Sequence, residues 1–162
     1  MYVDFKDMPE DSRVWVYQAA KPFSDEEREL IASRLSTFCE GWNTHGNRMP
    51  TSFDILENQI LILAVDESGL GASGCSIDSS VRTLRELEAE IENNITDQGK
   101  VTFRSTSGQL HVASALGIKA KVALGEINND TEVINPQVQK KKDLKSVWIP
   151  AGNSWLSRFF PN

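Results

Sequence analysis

The stretch TSFDILENQILILAV, residues 51–65, falls into two apolar runs with Asn58 near the break between them. Residues 51–57 read as one strand and residues 59–65 as the next, joined by a tight turn. The second run is apolar throughout, so it belongs in the middle of a sheet with both faces covered. A hairpin here makes the sheet antiparallel. That constrains how the glycine-rich stretch behind it, GLGASGCSIDSS at residues 69–80, is to be read.

Outward from the hairpin the elements alternate. SRVWVY, residues 12–17, alternates with apolar residues on both faces and reads as a strand. KPFSDEERELIASRLSTFCEGW, residues 21–42, reads as a helix with Ser24 as cap and Glu27 three residues on, a capping box. Its apolar face carries Ile31, Leu35, Phe38 and Trp42, with Cys39 beside it as a small core residue. NTHGNRMP, residues 43–50, reads as a loop. DSSVRTLRELEAEIENNI, residues 78–95, reads as a second helix capped by Asp78 or Ser79, and KVTFRS, residues 100–105, as a fourth strand.

Strand, helix, strand, strand, helix, strand is the ferredoxin-like split βαββαβ arrangement. The expected class is α+β, mainly antiparallel, in one domain over residues 1–162. Its core covers residues 12–106, and a C-terminal α/β extension covers residues 107–162. Within the extension QLHVA and TEVIN read as strands, and a short helix is expected from Ser114. The closing WIPAGNSWLSRFFPN, residues 148–162, carries Trp148, Trp155, Phe159 and Phe160. Both indoles are expected to be largely buried, on the open sheet face or against a second subunit.

Composition narrows the function classes. The chain has 162 residues, a net charge of -6, 40% hydrophobic and 25% charged residues. An acidic balance argues against nucleic acid as a partner. The run Lys140-Lys141-Lys142, extended by Lys145, reads as a solvated helix face. No apolar segment is long enough to cross a bilayer, and MYVDFKDMPEDSR lacks the pattern of a signal peptide, so a cytoplasmic location is expected. Cys39 and Cys75 are then reduced thiols. Two cysteines and two histidines, widely spaced, form no zinc pattern, and neither a metal nor a cofactor is expected.

Three readings of residues 69–80 remain open. Gly69, Gly71 and Gly74 have the spacing G-x-G-x-x-G of dinucleotide folds. Those folds need a parallel strand-helix-strand unit, and the preceding hairpin argues against one. No G-x-x-x-x-G-K-[ST] is present. A second reading takes Cys75 as a reactive thiol near a helix N-terminus, where the macrodipole favours thiolate. The topology brings the loop of His45 to the same sheet end as Cys75, so His45 is the candidate base, with His111 as a further one. The third reading is a turn with either an anion pocket or a purely structural role. In a pocket, Gly71, Ser73, Gly74, Ser76, Ser79, Ser80 and Arg82 would supply the backbone donors, hydroxyls and positive charge. In the structural role the same groups satisfy one another and cap the helix.

SRVWVYQ, ILAVDESGLGASGCSIDSSVR and NSWLSRF together resemble a family of bacterial proteins of about this length, without established activity, often labelled "ABC transporter ATPase". The resemblance implies a shared fold. Neither a Walker A motif nor an ABC signature stands in this chain. ALGEINNDTEVI, residues 123–134, also looks like the helix-to-strand junction of the peptide-binding GYF-type domains, without their tyrosine-phenylalanine signature. The leading expectation is a non-enzymatic protein that binds a small anion or a protein partner. The alternative is a thiol-dependent enzyme or redox sensor using Cys75. Homo-oligomerisation stays open.

Overall fold

The computed structural model describes residues 1–161. The chain forms two compact units, one of Met1–Thr96 with Gln139–Lys142, the other of Asp97–Val138 with the chain from Asp143 onward. The protein is mixed α+β, and every named strand pairs antiparallel.

The first unit is built on β1 (Arg13–Gln18), β4 (Thr51–Leu56) and β5 (Ile60–Val65), in the order β1-β5-β4. The hairpin of β4 and β5 turns through Glu57 and Asn58, both left-handed at φ 52° and 60°. Asn tolerates that conformation better than most residues, which explains the break in the apolar pattern there. All six residues of β5 are buried, as its composition requires of a central strand.

Helix α1 (Asp25–Gly41) begins as its sequence dictates. The Glu27 N–H donates to Ser24 Oγ at 3.1 Å, and the Ser24 N–H donates to Glu27 Oε1 at 2.8 Å. Its Ile31, Leu35 and Cys39 pack with Leu61, Leu63 and Val65 of β5 and with Leu84 and Leu87 of α2 (Gly74–Ile91). Helix α2 ends at Glu92, left-handed at φ 52°. Glu88 Oε1 then accepts from the Ile95 and Thr96 N–H groups at 2.6 and 2.7 Å and holds the exit of the chain.

The outer edge of β1 is covered by Gln139–Lys142. The Val14 N–H donates to the Gln139 carbonyl at 2.9 Å, and the Lys141 N–H to the Ser12 carbonyl at 2.8 Å. Lys141 and Lys142 open a 3-10 helix, Lys141–Ser146, and the expected solvated face holds for the exposed Lys142 and Lys145 but not for Lys141. Lys141 Nζ, in a side chain only 12% exposed, donates to the Met8 carbonyl at 2.7 Å and lies 3.7 Å from Glu10. Lys142 pairs with Asp11 at 2.9 Å, and Lys140 lies 3.8 Å from the same carboxylate. The hydrogen bond from Lys142, then the charges of Lys142 and Lys140, hold the Asp11 carboxyl below its ordinary value.

The second unit carries β6 (Lys100–Arg104), β7 (Leu110–Ser114), β8 (Glu132–Ile134) and β9 (Trp148–Pro150) in the order β7-β6-β8-β9, with α3 at Ile118–Ala123. The strand expected to complete a four-stranded split sheet thus forms at the predicted place but pairs with β7 and β8. Val101, Phe103, Ile118, Ile127, Val133, Ala151 and Leu156 make the core of this unit.

The tail corrects a second expectation. It packs on the core of its own unit through Ala151 and Leu156, both fully buried. Trp155 is 37% exposed and Trp148 half-buried. The short turn Trp155–Phe159 is a 3-10 helix, and it is Leu156 that points inward. Each indole is instead covered on one face by a guanidinium, Arg104 at 4.3 Å from the Trp148 ring centre and Arg158 at 5.1 Å from that of Trp155.

Candidate functional site

The first unit holds a cleft of about 540 Å³ where three elements converge. Thr37, Phe38 and Gly41 come from the end of α1, followed by Trp42. Asn43, His45 and Gly46 come from a small hairpin, β2 (Asn43–Thr44) and β3 (Asn47–Arg48). Ser73, Cys75, Ser76 and Ser79 come from the start of α2. No charged side chain is among these lining residues.

The segment NTHGNR, expected as an open loop, closes this hairpin with a two-residue turn. His45 and Gly46 have positive φ, 49° and 80°, the pattern of a type I′ turn. The Asn43 side-chain carbonyl accepts the Gly46 N–H at 3.3 Å and steadies the turn. The hairpin thereby places His45 in the same lining as Cys75, so the two candidates for thiol chemistry share one cleft.

Helix α2 begins earlier than its sequence suggests. Its cap is Ser73, and Asp78 and Ser79 lie inside the helix. The Ser76 N–H donates to Ser73 Oγ at 3.2 Å, and the Ile77 N–H to the Ser73 carbonyl at 2.9 Å. Ser76 Oγ donates back to the Ser73 carbonyl at 2.8 Å. Two contacts from distant sequence fix this start. The Ser73 N–H donates to Thr44 Oγ1 at 3.1 Å, and the buried Trp42 Nε1 donates to the Ser76 carbonyl at 2.7 Å. Cys75 is consequently an exposed thiol in the first turn of the helix. Among the described residues, the N–H groups of Gly74 and Cys75 face no acceptor, as the first donors of a helix do unless a cap or ligand reaches them.

The backbone does not require the glycines of residues 69–80 for their conformation. The left-handed glycines among the described residues are Gly46, Gly108 and Gly125, none of them in residues 69–80. Within residues 69–80 only Gly71 is sterically pressed, because a Cβ there would stand 3.0 Å from Glu67 Oε2. That carboxylate accepts the Ala72 N–H at 2.7 Å and faces Arg13 at 3.7 Å, which pins the loop.

The residues proposed from sequence therefore divide. Ser73, Cys75, Ser76, Ser79 and His45 line one cleft. Gly71, Gly74, Ser80 and Arg82 are not in its lining. Ser80 is buried, with its hydroxyl donating to the Ile77 carbonyl at 2.6 Å, and Arg82 is exposed along the helix. His111 belongs to the second unit, its ring stacked on Phe103 at 5.5 Å. Sequence reasoning missed Thr37, Phe38, Trp42 and Asn43 as walls. Trp42 carried a usable signal, since an indole at the end of an apolar face must find an acceptor when buried.

The second thiol is of another kind. Cys39 is fully enclosed in the core, and burial pushes its pKa up to about 12. Among the described residues no group of three or more His, Cys, Asp or Glu side chains is placed to hold a metal ion. Chemically, the cleft offers hydroxyls, one imidazole and one accessible thiol, next to the N-terminus of α2. No family model, no curated protein and no solved structure matches this chain.

Proposed function

We propose that the first unit binds a small anion at the N-terminus of α2. The ligand accepts from the N–H groups of Gly74 and Cys75, with His45 and Ser79 completing the site. The observation that carries this reading is the pair of unsatisfied N–H groups at the start of α2, beside a cleft without a carboxylate in its lining. A helix N-terminus favours negative charge there. We read the unit as a variant of the ferredoxin-like split fold, in which Gln139–Lys142 takes the place beside β1 that a fourth strand would occupy. We place the protein in the cytoplasm, a setting that suits its two free cysteines. Nucleic acid is not the proposed partner, because Lys140, Lys141 and Lys142 are each paired with Glu10 or Asp11. The family resemblance is part of the same reading, without the ATPase activity of the label.

The test follows the amide resonances of Gly74 and Cys75 while phosphate is added at constant ionic strength. Both should shift and saturate, and His45→Ala with Ser79→Ala should weaken the response. Equal shifts in matched chloride would reject the site.

A second reading rests on a separate observation, the shared lining of Cys75 and His45. An accessible thiol beside an imidazole is the arrangement of a thiol-dependent enzyme or redox sensor. In that case His45→Ala should slow alkylation of Cys75 by iodoacetamide. An unchanged rate removes the imidazole from the chemistry.

A further inference from the structure

The second unit contains its own cleft, of about 780 Å³, larger than the one around Cys75. Its apolar lining is Val122 of α3, Ile127 from the loop that follows, and Phe159 and Phe160 of the tail. Two cations, Lys119 and Arg158, stand in the wall with Asn128 and Asn129, and no carboxylate is among the described lining residues.

In a chain of net charge -6 this is an unusual local balance. Lys121, two residues from Lys119, pairs with Glu126 at 2.9 Å. Lys119 and Arg158 have no carboxylate partner among the described residues. Arg158 is nevertheless held in place. Its guanidinium stands 5.1 Å from the ring centre of Trp155 and 5.0 Å from that of Phe159. Ring faces on a guanidinium restrict its plane while leaving its N–H donors free for an anion. The opposite wall is equally set. The Gly152 N–H donates to the Asn129 carbonyl at 2.9 Å, and the Asn128 N–H donates to Thr131 Oγ1 at 2.9 Å. A backbone hydrogen bond thus ties the loop carrying Asn128 and Asn129 to the segment that leads into the tail.

Apolar rings with two unneutralised cations select a ligand with both characters. We propose that this cleft binds a small organic carboxylate with an aromatic or aliphatic body. The carboxylate lies against Lys119 and Arg158, and the body lies on Val122, Ile127, Phe159 and Phe160. An inorganic anion would leave the apolar wall wet, and a neutral hydrocarbon would leave the cations unmatched.

Phenylacetate and its neutral isostere phenylacetamide separate these terms on the full chain without any substitution. Titration followed by protein NMR should show phenylacetate shifting the amides of residues 119–129 and 158–160 and binding about tenfold more tightly than the amide, the margin expected for a charge-assisted bond over a neutral one. Acetate should bind more weakly than either. Lys119→Gln with Arg158→Gln should abolish the preference for the acid, and Phe160→Ala should weaken acid and amide alike. The amides of Gly74 and Cys75 should stay unshifted in the phenylacetate titration at the concentrations that saturate residues 119–129, which keeps this site distinct from the cleft of the first unit. Equal affinity for acid and amide would overturn the proposal. So would an acetate response equal to that of phenylacetate, undiminished binding in the double variant, or no binding of phenylacetate. Should the double variant fail to fold, the acid, amide and acetate comparison on the parent chain still decides.

Discussion

Trp42 and Ser76 are joined by a 2.7 Å hydrogen bond from the indole Nε1 to the backbone carbonyl. They stand 34 residues apart in sequence, at the end of α1 and in the first turn of α2. The bond is buried, and the ring is packed against Phe38 and Trp15 with centres 5.2 and 6.1 Å away. Trp42 therefore does two things at once, filling the core and fixing where α2 starts.

Substitution separates the two roles. Trp42→Phe keeps most of the ring and removes the donor. It should cost about 1–2 kcal/mol, the usual range for a lost buried hydrogen bond. Trp42→Ala also opens a cavity and should cost about 3–5 kcal/mol. Urea unfolding measures both. If Trp42→Phe unfolds at the parent midpoint, the bond contributes nothing and packing alone orders the two helices.

The buried thiol gives a pH dependence with a definite sign. Burial pushes the Cys39 pKa to about 12 from an ordinary value of 9.0. The folded state thus favours the neutral thiol more than the unfolded chain does. Stability from this group is complete below about pH 9 and is lost as pH rises toward about 12, at up to about 1.4 kcal/mol per pH unit. Tyr17, whose phenol is also raised by burial, adds a loss of the same sign at higher pH. Urea midpoints of the parent and of Cys39→Ala across this window isolate the thiol. The parent should fall more steeply, whereas parallel curves would show that Cys39 ionises as freely in the fold as outside it. Ellman's reagent should meanwhile find Cys75 in the folded protein, and Cys39 only in denaturant.

The start of α2 is where sequence and structure part, and it is directly testable. Ser73→Ala should cost about 1 kcal/mol as the loss of a helix cap. Asp78→Ala and Ser79→Ala should stay within about 0.5 kcal/mol, as substitutions away from a cap do. Gly74→Ala should stabilise by about 0.5–1 kcal/mol, because a Cβ there meets no atom within 4 Å and the helix gains a better former. A cap effect at Ser79 in place of Ser73 would move the helix start back to where the sequence suggested it.

The reason for that difference is physical. Ser24 was legible as a cap because Glu27 completes a reciprocal pair within four residues. The serines at 73, 76, 79 and 80 all have cap chemistry, and no local signal ranks them. Thr44 and Trp42 rank them, and their approach depends on a hairpin and a helix far upstream. Strand destinations have the same limit. The pattern of Lys100–Arg104 marks it as a strand, yet apolar alternation does not encode a partner. The hairpin of β4 and β5 was legible because its two strands are neighbours in sequence. In the tail, apolar composition suggested buried indoles. The 3-10 geometry of Trp155–Phe159 turned Leu156 inward, and a 3-10 turn cannot present all its large residues to one core.

His45 offers the sharpest trade between stability and function. It holds a left-handed φ of 49° at the first position of its turn, where Asn is the preferred companion of the following Gly46. A non-glycine residue there carries about 1 kcal/mol of strain, less for Asn than for His. His45→Asn should therefore raise stability by a few tenths to about 1 kcal/mol, read from the urea midpoint. Strain retained in a cleft is the pattern of a residue kept for its side chain. If His45 contributes to anion binding, the same variant should lose part of the phosphate response of the Gly74 and Cys75 amides while gaining stability. A variant that gains stability and keeps the full phosphate response would reduce His45 to a turn residue and leave the N-terminus of α2 as the whole of the site.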